Sequence, residues 1–278
     1  MVIDTHAHVF FLDSFIDYDN KPLFQYMDEQ KVDICSCIAA ANKENDSVIE
    51  NVRKYPDKLF GIGYVNVHDM DRSLANLRHY AAEGIFRGIK MHPYVEDYVI
   101  DDPALDPLYE TCLDMDIPLL FHTGIVTFST WPSDEPGKIK PTKYNCIGFP
   151  NQFAAVLEKY PNLKIVFAHC GGNFYRELLC LTERFENAYL DTAWLRHYAE
   201  RAFPTVDIHD WIEHAVKIVG SEKILFAGDT GKGCWTIRQP LPGRIRGMVP
   251  GGWNVLRRRS VKENILWKNA ANLYKLNV

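Results

Sequence analysis

The stretch "DTHAH" at residues 4–8 sets two imidazoles, His6 and His8, two positions apart in an apolar run that opens the chain. On a strand, residues two apart share a face. His6 and His8 can therefore offer nitrogen lone pairs to one ion, with further ligands coming from neighbouring strands. Polar residues of the same kind end other short apolar runs. "GIKMHP" carries Lys90 and His92, "LLFHTG" carries His122, "VFAHCGG" carries His169, "YLDTAW" an aspartate and "LFAGDTG" Asp229. Lys90 and His92 again share a face, with Met91 opposed. A buried polar group needs a partner, and groups gathered at one end of their runs can partner one another. His122 and Asp229 stand at the right ends to complete a site begun by His6 and His8. Imidazole and carboxylate ligands suit zinc, and also manganese, iron or cobalt. An HxH pair alone is weak evidence, but five placements at one rim (His6, His8, His122, His169, Asp229) are hard to explain by packing.

The elements that must hold these residues follow from periodicity. Eight short apolar runs, at 2–8, 33–39, 59–66, 86–91, 118–122, 164–169, 188–192 and 223–228, read as strands. Between them lie amphipathic stretches such as "SVIENVRKY", "RSLANLRHYAAE", "PALDPLYETCLDM" and "NQFAAVLEKYP", with apolar residues three and four apart. Strand and helix in alternation imply parallel strands. Eight repeats in 278 residues fit a (β/α)8 TIM barrel in the α/β class; a doubly wound open sheet is the runner-up. No linker or compositional shift divides the chain, so residues 1–278 are expected to form a single domain. Two connections, 123–150 and 230–257, are long, and both follow a strand on the face where barrels carry their active sites. They are candidate lids, and Arg238, Arg244 and Arg246 in the second can clamp a substrate carboxylate. Alternation also places Asp4 lower on the His6 face, as an acceptor that orients a histidine.

The bulk composition narrows the function classes. A formal charge of −5 gives no electrostatic footing for nucleic acid, and "RRR" at 257–259 is too short for a basic patch and reads as helix surface. Seven scattered cysteines form neither a paired framework nor a zinc ribbon. Cys35 and Cys37 share a strand face and read as core. No run approaches the ~18–20 apolar residues that span a bilayer, and no basic-then-apolar leader opens the chain; a cytoplasmic protein with no membrane association is expected. "GDTGKGCW" lacks the spacing of a phosphate-binding loop. His68, His79, His197, His209 and His214 fall in loops or on helix faces and are read as structural or exposed.

Taken together, "DTHAH", "GIKMHP", "FHTG", "AHCGG", "FAGD" and the closing "ENILWKNAANLY" resemble the amidohydrolase superfamily from end to end. The closer likeness is to its amidohydrolase-related branch, which includes aminocarboxymuconate-semialdehyde decarboxylase, resorcylate-type decarboxylases and small lactonases. The resemblance implies one divalent ion, zinc first, held by His6, His8, His122 and Asp229, with His169 acting on the substrate and Asp229 also handling protons. Where many relatives read Gly-Ser-Asp, this chain has Ala227-Gly228-Asp229. Lys90 can bridge two metals, pair with a carboxylate or bind an anionic substrate; with His92, Arg244 and Arg246 it is placed on the substrate side. The implied activity is metal-dependent hydrolysis, a metal-activated water attacking a C–N or C–O bond of a small, carboxylate-bearing amide, lactam or lactone. Non-oxidative decarboxylation of an aromatic or muconate-type acid is the alternative, and a non-catalytic metal- or ligand-binding barrel the second. The partner is a small anionic molecule, and a homodimer is the expected assembly.

Overall fold

A computed structural model describes residues 1–8, 23–39, 45–125, 144–231 and 258–278. Each of the eight apolar runs contains strand. The first holds β1 (Ile3–Asp4) and β2 (Ala7–His8), followed by β3 (Ile34–Ile38), β4 (Leu59–Tyr64) and β5 (Phe86–Met91). Then come β6 (Leu119–Phe121), β7 (Ile165–Phe167), β8 (Ala188–Asp191) and β9 (Ile224–Leu225), which β10 (Thr230–Gly231) extends. All pairings are parallel, in the order β1-β3-β4-β5-β6-β7-β8-β9, and β2 pairs with β10.

The first and last runs also bond to each other. The Thr5 N–H donates to the Phe226 carbonyl at 3.1 Å and the Asp229 N–H to the His6 carbonyl at 2.7 Å. Beyond them Thr230 lies opposite Ala7 and Gly231 opposite His8. An open sheet would leave two edge strands unpaired; here the ends meet, and the fold is the expected single-domain TIM barrel.

The helices between strands are α1 (Leu23–Gln30), α2 (Asn45–Lys54), α3 (Met70–Ala82), the short α4 (Pro93–Glu96), α5 (Asp106–Met115), α6 (Pro150–Lys159), α7 (Tyr175–Arg184), the short α8 (Leu195–Ala199) and α9 (Ile208–Val219), and the four quoted amphipathic stretches fall on α2, α3, α5 and α6. In α3 the buried Leu74 and Leu77 sit three apart on the inner face, and the helix gives way at Gly84, whose φ of 77° suits the turn back to β5. No helix among the described residues is long and apolar enough to cross a membrane. Cys35 and Cys37 are fully buried in the core, as expected, and Arg259 is exposed on α10 (Arg259–Glu263).

Period-two alternation divides the apolar residues between two cores. Leu119 and Phe121 of β6 pack against the helices with Ile165, Phe167 and Ile224, whereas Leu120 joins Ile3, Ile38, Phe60, Ile62, Val166 and Leu225 in the barrel interior. The interior is closed at the end away from the polar residues by α11 (Asn269–Leu273), which contributes Ala270, Ala271 and Leu273 and leads to Tyr274. Asn269 docks that helix. Its Nδ2 donates to the Ser221 and Ile224 carbonyls, both at 2.7 Å, at the start of β9. Asn269→Ala removes two buried hydrogen bonds and is expected to destabilise the fold by ~1–3 kcal/mol. Urea unfolding of the variant measures this, and a wild-type midpoint would mean that apolar packing alone holds the helix.

Candidate active site

Six strand ends deliver the polar residues to one rim. His6 and His8 come from the first run, Lys90 and His92 from β5 and the residue after it, and His122 from the end of β6. His169 follows β7, Asp191 ends β8, and Asp229 follows β9. None of the eight is more than 7% exposed. For His122 the alternation is enough, since Leu120 already points inward. His169 is different: Val166 and Ala168 face inward, so simple alternation would turn the next residue toward the helices. A left-handed turn redirects it, with φ of 60° at His169, 48° at Cys170, 89° at Gly171 and 56° at Gly172. Gly172 is required there, because a Cβ would lie 2.8 Å from the Gly124 Cα.

Hydrogen bonds fix which nitrogens carry protons. The Ala193 carbonyl can only accept, so His169 Nδ1, 2.9 Å away, is the protonated nitrogen. His169 Nε2 then has the lone pair and accepts from His122 Nδ1–H at 3.1 Å. That leaves the lone pair of His122 on Nε2, which is buried and has no hydrogen-bond partner among the described residues. His6 Nδ1 lies 2.8 Å from Asp191 Oδ2, and its Nε2 accepts from Lys90 Nζ at 3.1 Å. The imidazoles are neutral. Burial pulls His8 down to about 4 and His169 down to about 3, and it pulls His6, His92 and His122 well below the usual range, with Lys90 adding to the effect on all five. Neutral imidazoles with bare nitrogens are the form that binds metal.

One donor atom from each of His6, His8 and Asp229 falls within 4.8 Å of the others, and Asp229 Oδ1 is 3.6 Å from both His6 Nε2 and His8 Nε2. Two imidazoles and a carboxylate at this spacing fit a divalent ion of the zinc or manganese type. His122 stands just outside this group: its ring is 4.7 Å from that of His169 and 5.2 Å from that of His92, centroid to centroid, with the unpartnered Nε2 as its contribution. His92 lies 6.3 Å from the His8 ring and edges Tyr94. Lys90 is buried among the imidazoles, with Nζ 3.1 Å from His6 Nε2. Arg238, Arg244, Arg246 and most of both long connections lie outside the described residues.

Two acidic residues do work that spacing alone did not reveal. Asp4 does not orient an imidazole ring. Its Oδ1 accepts the backbone N–H groups of His6 at 3.1 Å and Gly228 at 3.0 Å, so it clamps the first run to the last where β1 gives way to β2. Burial raises its carboxyl to about 6 against those two bonds. The ring of His6 is held instead by Asp191, the aspartate of "YLDTAW". Its place at a strand end was the available signal. His197 is the buried, structural one of the five helix and loop histidines, stacked 4.0 Å from Trp194, whose ring edges His169 at 6.1 Å. His68, His79 and His214 are exposed and His209 is half-buried.

Comparison with known proteins follows the same line. A family model described as amidohydrolase matches residues 3–276. The chain is 24% identical over 253 residues to a 2-amino-3-carboxymuconate-6-semialdehyde decarboxylase of Dictyostelium discoideum, covering 84% of this chain and 66% of that protein. Among solved structures it resembles a dihydroxybenzoic acid decarboxylase of Polaromonas with bound manganese and the inhibitor 2-nitroresorcinol (TM-score 0.67, 20% identity, 100% of this chain and 97% of the other). It also resembles a probable 2-pyrone-4,6-dicarboxylic acid hydrolase of Acinetobacter baumannii with citric acid bound (TM-score 0.68, 13% identity, 99% of both chains). With residues 3–276 matched and the motif-bearing strands closed into one barrel, the chain belongs to the amidohydrolase family.

Proposed function

We propose that the protein is a metal-dependent enzyme acting on a small carboxylate-bearing substrate, and that its reaction is non-oxidative decarboxylation. The observation that carries the metal reading is the buried group His6, His8 and Asp229, surrounded by imidazoles that burial keeps neutral. His122 Nε2, bare and buried, is the candidate fourth donor. A divalent ion held there would supply Lewis-acid chemistry, polarising a carboxylate or a water. Lys90 adds positive charge to the same rim and suits an anionic substrate. His169 is the proton carrier: once its Nε2 gives up the bond from His122 Nδ1–H, it takes a proton from water and delivers it to the carbon that loses carbon dioxide. His92 stands beside His8 as a substrate contact.

Decarboxylation is placed ahead of hydrolysis because the curated relative and the manganese-bound neighbour both carry decarboxylase names. Hydrolysis of a lactone, the reaction placed first on sequence grounds, is the second reading, and the likeness to a pyrone dicarboxylic acid hydrolase favours it. The experiment is an assay of protein loaded with zinc or with manganese, against a panel of hydroxybenzoic acids, a muconate semialdehyde acid and a pyrone dicarboxylic lactone. Carbon dioxide release from an acid is the expected result. Ring opening without carbon dioxide would establish the second reading instead. Protein that binds neither ion and turns over nothing in the panel would sink the enzyme reading and leave a ligand-binding barrel.

A further inference from the structure

Asp191 makes three hydrogen bonds from a site without solvent. Its Oδ2 lies 2.8 Å from His6 Nδ1, while Oδ1 accepts the His169 N–H at 2.7 Å and the Ala193 N–H at 3.0 Å. Its side chain is fully buried. It reaches residues from two other strand ends, one of them 185 positions away in the chain. The N–H it accepts from His169 belongs to the first residue of the left-handed turn, the turn that swings that imidazole back to the rim. The second, from Ala193, fixes the peptide whose carbonyl in turn holds His169 Nδ1 at 2.9 Å.

We infer that Asp191 is the positioning residue of this site, a single carboxylate that sets the tautomer of His6 and the placement of His169 together. The inference rests on the metal-enzyme reading above for the role of His6. Its physical content is a constraint on protons. Both backbone N–H donors fall on Oδ1, which leaves Oδ2 to accept from His6 Nδ1–H, and the Lys90 amine, a donor 3.1 Å from Nε2, needs the His6 lone pair on that nitrogen, facing His8 and Asp229. A residue that presented a donor at the Oδ2 position would reverse this order. The His6 proton would move to Nε2 and the nitrogen that faces the cluster would lose its lone pair.

Asp191→Asn makes that change with almost no change of shape. The Asn Oδ1 keeps both backbone N–H bonds, and the new NH2 group donates to His6 Nδ1. The expected result is a 10- to 100-fold rise in the dissociation constant for zinc, measured by competition with a chromophoric chelator, in the range for loss of a partner behind a metal-binding histidine, ~10–100-fold. Long-range ¹⁵N–¹H NMR of the metal-free protein should show the His6 proton on Nδ1 in wild type and on Nε2 in the variant. A purely structural aspartate would lower the thermal midpoint and leave both readouts alone. The inference is overturned if the variant binds zinc as wild type does, or if wild-type His6 already carries its proton on Nε2. The second observation needs no variant, so a poorly folding Asp191→Asn does not protect the idea. Should the wild type bind no zinc, the metal reading fails, and the tautomer in the metal-free protein still decides the role of Asp191.

Discussion

Asp229→Asn is expected to lower kcat by ~10³-fold or more while leaving the barrel folded. The size follows from the chemistry assigned to the site: metal-assisted charge stabilisation is worth several kcal/mol, at about 1.4 kcal/mol per tenfold in rate. The fold should survive because the backbone role of residue 229 is separate from its side chain. Its N–H closes the barrel onto the His6 carbonyl at 2.7 Å, and its φ of 57° is a conformation asparagine accepts. What changes is charge. The Oδ1 atom that lies 3.6 Å from both His6 Nε2 and His8 Nε2 becomes part of a neutral amide, and the donor group loses its only anion. Steady-state rates, bound metal by mass spectrometry and the thermal midpoint should be measured on one preparation. Wild-type turnover from the variant would remove Asp229 from the machinery. A collapse of the thermal midpoint would mean that its side chain serves the fold.

The second large effect concerns the ion itself. Prolonged dialysis against a strong chelator is expected to bring turnover to background, and addition of zinc or manganese to restore it. The same treatment should lower stability. An ion present at 100 to 1,000 times its dissociation constant stabilises the folded state by ~2.7–4.1 kcal/mol, and that margin goes with it. The donor set makes the direction clear. His6, His8, His92, His122 and His169 are all driven neutral by burial, the form in which imidazole nitrogens bind an ion. Lys90 Nζ sits 3.1 Å from His6 Nε2, so that contact has to be given up as the nitrogen takes an ion. Chelated protein with full activity and an unchanged midpoint would end the metal reading.

How far each residue was legible depended on the range of the forces that place it. Short-range pattern was enough for His122, since Leu120 and His122 share a face and the apolar run fixes which face is inward. The same reasoning brought Lys90 and His92 to one side, and the structure has both at the rim. It was not enough for His169. Its motif marked it, but counting residues from Ala168 would have turned it outward, and four left-handed residues undo that count. Nor was it enough for Asp4. The break between β1 and β2 means that alternation does not run unbroken from Ile3 to His8, and the carboxylate closes the barrel through backbone N–H groups.

The sequence by itself determined the architecture and the guest list of the site. Eight apolar runs, six of them ending in the polar residues of the site, favour a closed parallel barrel over an open sheet, because closure buries the runs and gathers those ends. Only the tertiary structure decided the division of labour among those ends. Which carboxylate clamps backbone, which holds a ring and which joins the imidazoles depends on distances between residues up to 224 positions apart, such as Asp4 and Gly228. Proton placement on each imidazole depends in turn on those partners. A hydrogen bond is settled within a few tenths of an ångström, and residue spacing along a chain carries no information at that scale until the strands have closed.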